Sequence, residues 1–161
     1  MAEKDAEARA AKSSRDRWIK IGFVLVLAAV AVAIYSFQRR DLRIEGWGND
    51  LPAALAQARA ENRMVVVFFA SSPPSDTARE IAQRRIPKPD NVQALKDGNF
   101  IPVIVSLDEN LNSDAATKYK LTTLPTLLVL RPDGTERNRH EGMIGEVNFR
   151  QDLLRVNPTK K

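Results

Sequence analysis

The chain of 161 residues has no cysteine. That absence excludes disulfides, thiolate nucleophiles and cysteine metal ligands together. Histidine is almost as scarce, with His140 the sole one, inside the charged stretch Arg137-Asn138-Arg139-His140-Glu141. A nucleophile–base pair would have to join it to Ser72 or Ser75, and no triad or oxyanion motif accompanies them. His140 reads instead as a solvated edge-strand residue. The seven glycines form no phosphate-binding loop. Asp108-Glu109-Asn110 and Asp114 lack the spacing and central glycine of a calcium loop, so they read as a polar turn. Arg84-Arg85 with Lys88 reads as a solvated helix end. The expectation is no catalytic residue, no metal and no cofactor.

A one-sided charge is also missing from most of the chain, although the net charge is +5. Residues 1–43 hold 9 of the 25 basic residues and 5 of the 20 acidic ones, leaving 16 against 15 for the rest. The folded part is therefore nearly neutral. Nucleic-acid binding needs a clustered basic surface with stacking aromatics, and neither is present.

What is present first is an apolar run. Ile21 to Phe37 reads IGFVLVLAAVAVAIYSF without a charge, flanked by Trp18 and Lys20 before it and by Arg39 and Arg40 after it. A helix over 21–37 with its interfacial flanks is long enough for a hydrocarbon core of roughly 30 Å. Trp18 and Tyr35 suit the interfaces. Ala31-Val32-Ala33 resembles a signal-peptidase site, so cleavage is the competing outcome. The long preceding tail with Glu3, Asp5, Glu7 and Asp16 argues for an uncleaved signal-anchor. Six basic residues precede the run and three follow closely, which keeps residues 1–20 in the cytoplasm and exports the remainder. The expected location is the inner (cytoplasmic) membrane, single-pass, with the domain on the periplasmic side.

After a tether over 38–46, the pattern predicts one domain over 47–157 and a tail over 158–161. Asp50 caps a predicted helix from Leu51 to Glu61, with Leu51, Leu55 and Ala58 on one face. Met64 to Ala70 (MVVVFFA) is a strand buried on both faces. Asp76 to Arg85 returns to helical spacing through Ala78, Ile81 and Ala82, and Asp90 with Gln93 three residues later reads as the cap of a short helix. Phe100 to Leu107 is a second strand, Asn112 to Lys120 a helix, and Thr126 to Leu130 a third strand. Arg131-Pro132-Asp133-Gly134 turns the chain into an edge strand around Glu136 to Glu141. Glu146 to Val156 closes the domain as a helix burying Val147, Leu153 and Leu154. Two crossovers followed by a hairpin give an α/β fold, a mixed sheet flanked by helices and preceded by one transmembrane helix.

This order, together with Leu124-Pro125-Thr126 at the head of the third strand, resembles the thioredoxin-like superfamily from Trp47 to about Leu154. The resemblance implies a cis bond at Leu124-Pro125. It also implies that a Cys-x-x-Cys motif should follow the first strand, where a helix N-terminus favours the thiolate and a second thiol resolves the mixed disulfide. That loop here is Ser71-Ser72-Pro73-Pro74-Ser75-Asp76. A one-residue deletion aligns Ser72-Pro73-Pro74-Ser75 with the family's Cys-Pro-Pro-Cys variant, while ungapped counting selects Pro73 and Asp76. Neither register supplies sulfur. The buried acid that many thioredoxins carry in the preceding strand matches Val67.

The resemblance therefore implies a redox-inactive, membrane-tethered module that binds an extended peptide or an envelope protein. The family's binding surface maps onto Leu124, Pro125 and Thr126 beside the degenerate loop Ser72, Pro73, Pro74, Ser75 and Asp76. The alternative is a thiol-disulfide oxidoreductase by ancestry, active only with partner cysteines. The sequence leaves the oligomeric state open.

Overall fold

The computed structural model describes residues 21–33 and 42–155. The chain divides into two units, Met1–Arg39 and Arg40–Lys161. In the first, residues 21–33 form a helix, α1, whose apolar side chains such as Phe23, Leu25 and Val26 are exposed. Among the described residues no helix is long and apolar enough to cross a membrane. Residues 34–37 of the expected span, Trp18, Tyr35 and the tails at 1–20 and 158–161 lie outside the described residues.

The second unit is built on four strands: β1 (Val65–Ser71), β2 (Ile101–Leu107), β3 (Thr126–Leu130) and β4 (Glu136–Glu141), in the order β2-β1-β3-β4. Every residue of β1 is buried, because the run of β-branched and aromatic side chains sits mid-sheet and serves both faces. Val66, Phe68 and Ala70 enter one core cluster. Val65, Val67 and Phe69 enter the other. Burying each of these valine and phenylalanine side chains contributes about 1.5–3 kcal/mol.

The first cluster is roofed by α3 (Asp76–Glu80), α4 (Pro89–Asp97) and α6 (Glu146–Asn148) with their extensions. Both α3 and α6 continue as π-helical turns, Ile81–Arg85 and Phe149–Leu154. The second cluster lies under α2 (Leu51–Glu61) and α5 (Asp114–Lys118). Asp50 caps α2 as expected, accepting from the Ala53 N–H at 2.9 Å.

Several expectations need correction. The two crossovers are in fact one: β1 and β2 are parallel, but β3 runs antiparallel to β1. Ser71 pairs with Leu107, and Phe69 with Thr126, so β2 ends and β3 begins at the same end of the sheet. Residues 108–125, with the short helix α5, thus bring the chain back to the end where β2 finished instead of across the sheet.

Asp90 is not a cap. Pro89 takes the first helical turn, where its missing N–H costs nothing, and Lys88 is the N-cap without a side-chain bond. Val147 is exposed, because the widened π spacing turns Phe149, Leu153 and Leu154 inward instead. Leu42 and Ile44 are buried in the first cluster, so the domain takes in part of the segment read as tether.

Candidate functional site

The end of the sheet where β1 finishes and β3 starts gathers three loops. The register Phe69↔Thr126 sets the Ser72–Ser75 loop and the Leu121–Pro125 loop at this end. Thr126 pairs with Glu141, and the Gly142 N–H donates to the Pro125 carbonyl at 2.8 Å, which adds the loop after β4.

The first loop leaves the ladder through Ser72, whose N–H donates to the Leu107 carbonyl at 2.8 Å. The Ser71 hydroxyl then accepts from the Ser75 N–H, and the Ser75 hydroxyl from the Ala78 N–H, each at 3.2 Å. Ser75 is thus the N-cap of α3, and Asp76 begins the helix. The loop ends a strand and caps a helix whatever else it does. Pro73 is exposed and Pro74 buried, and the Ser72–Pro73 bond is cis, a feature the sequence reading did not anticipate. Val67 is fully buried between Val103 and Leu128.

In the second loop Leu124–Pro125 is cis. Pro125 and Thr126 are buried, while Leu124 is half-buried against the second cluster. Thr126 Oγ1 donates to the Thr123 carbonyl at 2.7 Å and braces the turn. A second brace comes from β4: the Arg139 guanidinium donates to the carbonyls of Tyr119 at 2.5 Å and Lys120 at 3.4 Å, where α5 ends. Hydrogen bonding to Glu136 above all, and then to Glu141, raises the Arg139 pKa beyond its already high value against the cost of burial. The charge therefore persists at any ordinary pH. Among the described residues, no hydrogen bond uses the Leu124 N–H or C=O.

The third loop was missed in the sequence. Gly142 takes φ +77°, a conformation that favours glycine, and turns the chain after β4. Met143 is 47% exposed and Ile144 fully buried. The signal was a lone glycine between a charged strand and an apolar pair. His140 is half-buried, with Nε2 2.9 Å from the Met143 carbonyl oxygen, so that nitrogen holds this loop rather than a serine.

Arg85 and Lys88, read as a solvated helix end, pair with Glu80 and Glu146. A cavity of about 450 Å³ lies behind the site, lined by Arg139 and His140, and two others, of about 570 and 400 Å³, are lined by residues of α2 and β2. The three-loop end offers an apolar side chain, a free pair of backbone groups and no thiol.

The chain matches the model of a thioredoxin-like domain over residues 51–157. It is 30% identical over 113 residues to the thiol:disulfide interchange protein DsbD of Pseudomonas fluorescens, covering 70% of this chain but only 19% of that protein. Among solved structures, a thioredoxin from Thermus thermophilus superposes with a TM-score of 0.58 at 27% identity, over 68% of this chain and 84% of that one. The reduced C-terminal domain of Neisseria meningitidis DsbD gives 0.53 at 23% identity, over 63% of this chain and 89% of that one, a likeness of fold.

Proposed function

Because the chain belongs to the thioredoxin-like family yet has serine, proline and aspartate where that family's cysteines would stand, we infer that it is a redox-inactive binding module. It is held in the cell envelope by residues 21–37, with 1–20 in the cytoplasm and the domain outside. Its partner is an extended peptide or the exposed strand of an envelope protein. The observation that carries this reading is the unused Leu124 backbone pair, beside the exposed Met143 on a braced loop. Strand addition takes its affinity from main-chain groups and its selectivity from neighbouring side chains, and neither requires a thiol. The alternative, oxidoreductase action with partner cysteines, draws support from the DsbD relative's name.

A photoreactive residue placed at the exposed Thr123 of the intact chain in living cells should form discrete adducts. The same residue at Lys96 on α4 should not. Met143→Glu should reduce the Thr123 adduct about tenfold, since a charge buried against an apolar partner costs at least about 1.4 kcal/mol. Equal yields at Thr123 and Lys96, or a yield untouched by Met143→Glu, would remove the site from consideration.

The orientation is checked separately by protease applied to cells whose outer layer has been opened. Residues 46–161 should be digested while 1–20 stay protected. Protection of the domain until the inner membrane is lysed would reverse the topology, and a soluble form starting near residue 34 would show cleavage.

A further inference from the structure

The outer edge of β2 is only half covered. Its odd-numbered residues turn their backbone groups toward β1: the Ile101 N–H donates to Met64, and the Leu107 carbonyl accepts from Ser72, each at 2.8 Å. The even-numbered residues therefore face away from the sheet. Gly48 occupies the first of them, donating to the Pro102 carbonyl at 3.0 Å and accepting from the Ile104 N–H at 2.9 Å. Two residues later the chain turns into α2 behind its cap, Asp50. The Ile104 carbonyl and both backbone groups of Ser106 are left without a partner among the described residues. Exposed strand edges of this kind are normally covered or charged.

Beside that open edge lies the cavity of about 570 Å³. Leu51 and Leu55 of α2, Val105 of β2 and Tyr119 after α5 supply its apolar wall. Side chains alternate across a sheet, so a strand laid along Ile104–Leu107 would direct every second residue onto this face, over the cavity. Asp50 and Asp114 also line it, against one cation, Lys118. The Lys118 ammonium is drawn toward the Tyr119 ring, 5.2 Å from its centroid. A second copy of the chain pairing edge to edge would bring these carboxylates together, a like-charge contact.

We propose that this edge and its cavity form a second binding site, for an extended basic segment of a partner protein. The segment adds to the sheet as a fifth strand, seats a large apolar side chain in the cavity, and sets Lys or Arg at the next same-face positions beside Asp50 and Asp114. The site is separate from the cis-proline end and stands whether or not that end binds anything.

The probe is a fluorescent six-residue peptide, acetyl-Arg-Val-Phe-Val-Arg-Thr-amide, titrated by anisotropy against the full-length chain in a mild detergent. Its Arg, Phe and Arg share one face. Ser106→Pro removes the outward N–H without touching the β1 ladder, a place where an edge strand tolerates proline. Binding should weaken at least tenfold in Ser106→Pro, about threefold in Asp114→Asn, and at least tenfold when both peptide arginines become glutamates.

Peptide variants keep the test independent of how Ser106→Pro folds. N-methylation on alternate residues should abolish binding in one phase and spare it in the other, the mark of an added strand. Equal effects of the two phases would overturn the proposal, as would unchanged binding in a folded Ser106→Pro. Loss in Met143→Glu instead would place the peptide at the cis-proline end. A dimer seen by sedimentation and abolished by Ser106→Pro would make the occupant a second copy, and so also reject it.

Discussion

Insulin incubated with dithiothreitol should precipitate no faster when the full-length chain is added. Disulfide exchange needs a thiolate to attack sulfur, and serine has no oxidised partner state to cycle through. The Ser75 hydroxyl is also already committed as the cap of α3. Proton transfer is unprovided for as well, since Val67 is fully buried and its neighbours in the ladder are Val103 and Leu128. Converting Ser72 and Ser75 to cysteine tests the gapped register, and converting Pro73 and Asp76 tests the ungapped one. Whichever pair recovers turnover should remain at least a hundredfold below a working thioredoxin, the scale of a missing acid–base group. Turnover by the unaltered chain alone would overturn the redox-inactive assignment. Turnover that appears only with a cysteine-bearing membrane partner would favour the alternative.

Replacing Asn91 with leucine should lower stability by about 3 kcal/mol, although the two side chains are close in size. Asn91 is 0% exposed. Its amide donates to the Arg85 carbonyl at 2.7 Å, in the π-helical turn, and its oxygen accepts from Arg150 at 2.9 Å. Arg150 reaches Asp90 as well, at 3.6 Å. One buried amide thus joins the end of α3, the start of α4 and the C-terminal helix by hydrogen bonds. Leucine takes from the Arg85 carbonyl its shorter hydrogen bond, leaving it the Lys88 N–H at 3.4 Å, and leaves the guanidinium short of an acceptor. Thermal unfolding should shift downward by on the order of 10–15 °C for a domain of this size. A shift under 3 °C would mean that water or a side-chain rearrangement satisfies both groups. Adducts at Thr123 should survive below the new midpoint, because the amide lies on the opposite core face from Leu124.

The parts of the fold legible in the sequence were those marked by two signals at once. β3 and β4 have the bounds expected for them because Pro125 opens one and the Pro132-Asp133-Gly134 turn separates the pair. The direction of β3 was not legible: a connection as long as residues 108–125 can cross the sheet or return at the same end, and the hydrophobic pattern of the strand is the same either way. Val147 was misassigned because 3.6-residue spacing was applied across a turn that the π geometry widens. The site was legible in its first two loops, through Leu124-Pro125-Thr126 and the serine–proline run. Met143 was not, since its role depends on a backbone bond from Gly142 to Pro125 that no local pattern encodes. Arg139 read as one charge among several in an edge strand, yet its guanidinium reaches carbonyls twenty residues away in sequence.

That reach has a consequence for recognition. The loop around Leu124 is fastened by Thr126 from within, by Arg139 from the edge strand and by Gly142 from the third loop. Its conformational entropy is surrendered when the chain folds, so an arriving partner has little left to order on this side. The partner must supply the remaining loss itself. A segment already extended in its own protein should bind more tightly than the same residues in a disordered tail, by the ordering cost of each residue spared. Selectivity at this end then depends on the shape and stiffness of what arrives, with only a small part left to adjustment by the loop.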